Sequence, residues 1–115
     1  MDESRDAATL ADLIEACERI VNSTRGVEER AFYRDSLLYD AVIRQVSILG
    51  EAVKRLSAGV RSRHPDVPWQ NIAGMRDRLI HDYDDIDPAE VWRISRVDVP
   101  ELVQHLRVIQ RDLKG

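Results

Sequence analysis

A chain of 115 residues, 43% hydrophobic and 33% charged, has the size and composition of one folded domain, not of a disordered or fibrous protein. Its formal net charge of −4 argues against bulk, non-specific nucleic-acid binding, which needs a broad basic face, while leaving room for a local Arg-lined cleft. A domain this small buries a modest share of its surface, so a partner chain would help to stabilise it.

The N-terminal stretch MDESRDAATL is acidic and lacks the apolar core of a signal peptide. Leu10, Leu13, Ile14, Cys17, Ile20 and Val21 then recur at steps of three and four, which predicts an amphipathic helix. Ser23 to Gly26 stop it, with Gly26 as the C-terminal cap. Cys17 is the single cysteine, so no internal disulfide forms; its place in the stripe reads as a buried small hydrophobe, and a lone thiol fits the cytoplasm. Val27 to Asp35 is a short helix or turn. A second long helix runs from about Ser36 to Leu56, with Leu38, Val42, Gln45, Leu49, Ala52 and Leu56 on one face and Ala41 and Ile48 widening it. Gln45 is either a satisfied buried amide or faces a partner.

SAGVRSRHPDVPW reads as a connection, punctuated by Pro65 and Pro68. A third helix follows from about Pro68 to Asp82. Asp87, Pro88 and Glu90 give the start signal of a short fourth helix ending near Arg96. Asp98, Pro100 and Glu101 repeat that signal for a last helix with Leu102, Val103, Leu106, Ile109 and Leu113 on one face. No stretch alternates like a strand, and no apolar run approaches membrane-spanning length. The expectation is an all-α bundle of four to five helices, one domain over 1–115.

The third helix carries RDRLIHDY, Arg76 to Tyr83. On an ideal helix Trp69, Ile72, Ala73, Leu79, Ile80 and Tyr83 lie within about 60° of Arg76, so this guanidinium sits inside the apolar stripe. Burying it is expensive without an anion. Either a carboxylate from another helix satisfies it, or the stripe lines a cleft or dimer interface where Arg76 meets a substrate phosphate. His81 is about 140° from Arg76. Asp77 is four residues before His81, the spacing at which it would orient the imidazole. Gly74, seven residues before His81, leaves open space beside it. Asp82, Asp84, Asp85 and Asp87 read as a solvated loop ending in a cap, not as a metal site. His64 and His105 show no zinc-type spacing with His81 or Cys17. Arg61, Arg63 and Arg78 are ordinary solvated charges or guides for a phosphate backbone. Trp69 and Trp92 read as core anchors.

The series Arg76, Asp77, His81, Tyr83 fits the pattern RxxxxHxY. With DAVIRQVSILGEA (Asp40 to Ala52), HPDVPWQNIAGMRDRLIHDY, Trp92 and VPEL (Val99 to Leu102), the chain resembles the HepT-like group of the HEPN superfamily from about Leu37 to Leu106. The commonest residue after the Arg in that group is Asn, and here it is Asp77. The resemblance implies a metal-independent endoribonuclease without cofactor, the toxin of a toxin–antitoxin pair. It implies a homodimer in which two copies of the third helix supply a composite site. Arg76 would hold the phosphate and His81 would be acid and base, with Asp77 in support. Tyr83 would accept AMP from a cognate nucleotidyltransferase antitoxin. The alternative is a non-catalytic helical module that binds such a transferase.

Overall fold

The computed structural model describes residues 2–81 and 86–114, with side chains for 5–79 and 86–114. In chain order it has α1 (Asp2–Thr24), α2 (Glu29–Arg34), α3 (Ser36–Val53), α4 (Ala58–Arg63), α5 (Trp69–His81), α6 (Pro88–Arg93), a π-helical turn (Ile94–Asp98) and α7 (Val99–Lys114). Every regular element among the described residues is helical, as the periodicity predicts. None is long and apolar enough to cross a membrane.

α1 and α3 form the centre. α1 buries Leu10, Leu13, Ile14, Cys17 and Ile20, and Gly26 beyond its end takes φ 73°, the left-handed conformation a cap glycine supplies without a Cβ clash. Burial, with Glu18 adding to it, pushes the Cys17 thiol up to about 12, despite an opposing pull from Arg107; it is protonated core at neutral pH. Asp35 caps α3 by accepting the Leu38 N–H at 3.0 Å. α3 packs against α1 on one side and α5 on the other. Its buried residues are Val42, Ile43, Val46, Leu49, Gly50, Ala52 and Val53. The stripe is therefore widened by Ile43, Val46 and Val53, whereas Ala41 and Ile48, predicted to widen it, are exposed. Gln45 is half-buried at a surface groove between α1 and α3.

The predicted connection SAGVRSR contains α4. Its cap Ser57 accepts the Val60 N–H at 3.3 Å, and both its own N–H and hydroxyl donate to buried Asp6, at 2.9 and 2.7 Å. A carboxylate 2% exposed thus gains two hydrogen bonds and ties α1 to the start of α4. Trp69, 7% exposed, opens α5 and donates its indole N–H to the carbonyls of Arg61 and His64, at 3.2 and 3.0 Å. It is the core anchor expected of it. Phe32 stacks with Trp92 and Tyr39 at 5.2 and 5.6 Å between ring centroids, joining α2, α3 and α6.

Asp87 caps α6 as predicted, accepting the Ala89 N–H at 3.0 Å. The second start signal behaves differently. The chain does not break at Asp98 but stays helical from α6 into α7 through the π turn. Pro100 has no N–H to give the carbonyl four residues back, and the Val99 N–H instead reaches Ile94, five back. One helical path with a bulge replaces two capped helices.

Candidate active site

The site is built where α3 crosses α5, and Gly50 sets the distance of the crossing. A Cβ placed there would lie 2.4 Å from the Arg76 Cβ, 3.1 Å from the Ile72 carbonyl oxygen and 3.2 Å from the Arg76 nitrogen. Only glycine lets the backbones come this close. The approach seats Arg76 directly over α3, with Ile72 and Leu79 of the same helix buried at 3% and 7% exposure. The Arg76 guanidinium, expected inside the apolar stripe, keeps 32% of its side-chain exposure.

Two carboxylates hold the guanidinium. Its Nε faces Glu51 Oε2 of α3 at 3.2 Å, and its Nη1 donates to Asp77 Oδ1 at 3.3 Å. The same Asp77 oxygen accepts from Lys54 Nζ of α3 at 3.1 Å. Glu51, Arg76, Asp77 and Lys54 thus form a chain of alternating charge along the α3–α5 seam. First the Lys54 ammonium and then the Arg76 guanidinium hold the Asp77 carboxyl below its usual value of 3.8. Asp77 is therefore ionised at neutral pH, and its contribution to the link is lost only as pH falls through that lowered value in acid. The four side chains are between one-third and one-half exposed. Ion pairs this open contribute little to stability, so their main effect is to aim the cations, not to hold the fold.

Of the residues named from sequence, the structure brings Arg76 and Asp77 into contact. Asp77 meets Lys54 and Arg76 among the described side chains; its predicted partner, the His81 imidazole, lies outside them. α5 stays helical through His81, so Arg76 and His81 occupy register positions about 140° apart on an unbroken helix. Tyr83 lies outside the described residues, as do Asp82, Asp84 and Asp85. Gly74 has open space where a Cβ would be and borders a groove of about 540 Å³ between α5 and the α6–α7 path, while the space beside the His81 side chain lies outside the described residues. Arg78 on this side pairs with Glu90 of α6, and His105 of α7 faces Asp66 at 3.6 Å. Among the described residues no group of three or more His, Cys, Asp or Glu side chains is arranged to hold a metal ion.

Glu51 and Lys54 are the residues that sequence reasoning misses. They lie on the flank of α3 next to Gly50, and their partners are more than twenty positions away. The available signal is Gly50 itself, since a glycine inside a strongly periodic helix marks a close backbone approach. Lys54 is also one of only two lysines in an Arg-rich chain.

A family model described as Ribonuclease HepT-like matches residues 13–109. The protein of Thermococcus cleftensis named "Probable ribonuclease HepT" is 39% identical over 93 residues, 81% of this chain and 84% of its own. A protein of Methanocaldococcus jannaschii named as a candidate RNase is 34% identical over 108 residues, 94% of this chain and 89% of its own. Another so named, from Caldanaerobacter subterraneus subsp. tengcongensis, is 36% identical over 100 residues, 87% and 89% of the two chains. No solved structure matches significantly. With an Arg–polar–His series on one helix and matches of this extent, the chain belongs to the HepT-like ribonucleases, a HEPN-type family, and is an RNA-cleaving enzyme.

Proposed function

We propose that this enzyme is the toxin of a toxin–antitoxin pair, a metal-independent endoribonuclease acting in the cytoplasm as a homodimer of single-domain chains. The observation that carries the reading is the Arg76 guanidinium, aimed by Glu51 and Asp77 yet open to solvent, on the helix that carries His81. An RNA 2′-hydroxyl attacks the adjacent phosphorus as its proton passes to a base. The bond from phosphorus to the 5′-oxygen breaks, and an acid protonates that leaving oxygen. The products are a 2′,3′-cyclic phosphate and a 5′-hydroxyl.

Imidazole titrates near neutrality, so His81 suits both proton transfers. One chain supplies one such histidine on the helix of the clamp, and two chains meeting along α5 supply the acid and the base together. Arg76 neutralises the charge that builds on the phosphoryl oxygens. Asp77 steadies the clamp and carries the orienting role toward His81. Tyr83, two residues beyond His81, is the acceptor of AMP from a nucleotidyltransferase antitoxin. An anionic nucleotide attached there repels incoming RNA and obstructs the clamp.

Expression in a bacterial host, with and without the transferase, tests this reading. The chain alone should arrest growth, and His81→Ala should abolish the arrest. Co-expression with an active transferase should add one AMP to the peptide containing Tyr83, read by mass spectrometry, and restore growth. Arrest that survives His81→Ala would favour a module acting by binding. An unmodified Tyr83 peptide beside an active transferase would remove the proposed regulation.

A further inference from the structure

We propose that Lys54 is a second phosphate-binding residue of the cleavage site, docked beside Arg76 by the shared carboxylate oxygen of Asp77. The inference rests on the reading of Arg76 as the phosphate clamp and extends it to a residue of α3.

The electrostatics of the seam call for such a residue. Arg76 stands between Glu51 and Asp77, so these three groups together carry a formal charge of −1. A clamp of that sign would repel the phosphate it is meant to hold. Lys54, at 3.1 Å from Asp77, brings the cluster to neutrality. The need is specific to a chain with a carboxylate, not an amide, directly after the clamp arginine.

The geometry supplies the docking. Lys54 Nζ and Arg76 Nη1 converge on one oxygen, Asp77 Oδ1, which places them no more than about 6.4 Å apart. Two cations that already share one anionic oxygen are spaced to share the oxygens of a phosphate. Both keep donors for it. An ammonium has three N–H groups, of which Asp77 takes one, and among the described residues neither Nη2 hydrogen of Arg76 has a partner. Glu51 engages Nε and so leaves Nη2 as the guanidinium nitrogen open to a substrate oxygen. Lys54 is 40% exposed in its side chain, open enough to exchange part of its contact with Asp77 for a substrate oxygen. Glu51 and Asp77 are positioning residues in this scheme; Lys54 and Arg76 touch the substrate.

The test is equilibrium binding of the full chain to a fully 2′-O-methylated single-stranded RNA, which 2′-hydroxyl attack cannot cut, across a salt series. A lost phosphate contact flattens the plot of log affinity against log salt by about 0.7 on a single strand. Lys54→Met should show that flattening and bind about tenfold more weakly at low salt. Lys54→Arg should retain slope and affinity. With unmodified RNA the Lys54→Met loss should fall on KM more than on kcat. Adding Asp77→Asn to Lys54→Met should recover affinity, because removing the carboxylate removes the charge that Lys54 offsets. Unchanged slope and affinity in Lys54→Met would overturn the inference. So would a loss of affinity with unchanged slope that Lys54→Arg fails to restore. Arg76→Ala run alongside separates the two levels: if it costs neither affinity nor cleavage, the clamp reading itself fails.

Discussion

His81→Ala should lower the rate of RNA cleavage by about 10²–10⁴-fold, the span that a positioned acid–base group contributes, while RNA binding persists. Arg76→Ala should lower it by about 10²–10³-fold and weaken RNA binding as well, because in the proposed mechanism the guanidinium meets the phosphate before and during the transition state. Arg76→Lys should rescue little. An ammonium cannot face Glu51 through one nitrogen, Asp77 through a second and a phosphate through a third in one plane. These losses are separable from unfolding. The Arg76 pairs are exposed and add little to stability, so the Arg76 variants should melt close to the parent. A collapse of the melting temperature, with cleavage lost in proportion to the unfolded fraction, would make Arg76 a structural cation held by Glu51 and nothing more.

The second large effect concerns Gly50. Gly50→Ala gains about 1 kcal/mol of helix propensity in α3. Against that, the new Cβ meets the Arg76 Cβ at 2.4 Å and two backbone atoms of α5 near 3.1 Å. None of these is the yielding tip of a side chain, so the helices must separate, and overpacking of this kind costs about 1–3 kcal/mol. The steric loss wins, and Gly50→Ala should unfold at lower denaturant than the parent, with lower cleavage in the protein that remains folded because Arg76 rides on the shifted helix. Gly74→Ala supplies the contrast. Its Cβ would meet nothing within 4 Å, so only the propensity gain remains and the variant should be more stable by about 0.5–1 kcal/mol. Equal effects of the two substitutions would mean that the seam is not built on Gly50.

The pattern of these helices is written locally, and local rules read it. Steps of three and four give α1, α3, α5 and α7, and Gly26 and Asp87 mark ends that the structure places where they fall. Local rules stop at questions of neighbourhood. Periodicity shows that α3 has a wide apolar face, but both flanks of Leu49 carry apolar residues. Which flank is covered depends on where α1 and α5 lie, and they cover Ile43 and Val46 while leaving Ile48 open. α4 is a short helix whose cap, Ser57, is held in place by Asp6, fifty-one positions away, a contact no local rule reads. The Asp98–Pro100 signal misleads for a different reason: a proline ends α-helical bonding, but a helix already packed on both sides can absorb the missing donor as a π turn. The site divides in the same way. Arg76 and Asp77 are legible from the motif and from the cost of an Arg in an apolar stripe. His81 and Tyr83 are legible through the motif alone. Glu51 and Lys54 are legible only once α3 and α5 are brought together, because no spacing rule links them to their partners on α5.

The most direct test of a phosphodiester gripped by cations and cut by its own 2′-hydroxyl is the chemistry of the severed ends. Purified chain should cut RNA in excess EDTA and leave 5′-hydroxyl and 2′,3′-cyclic phosphate termini. Fragments ending in 5′-phosphate, or cutting that stops with the chelator and returns with a divalent cation, would contradict the account.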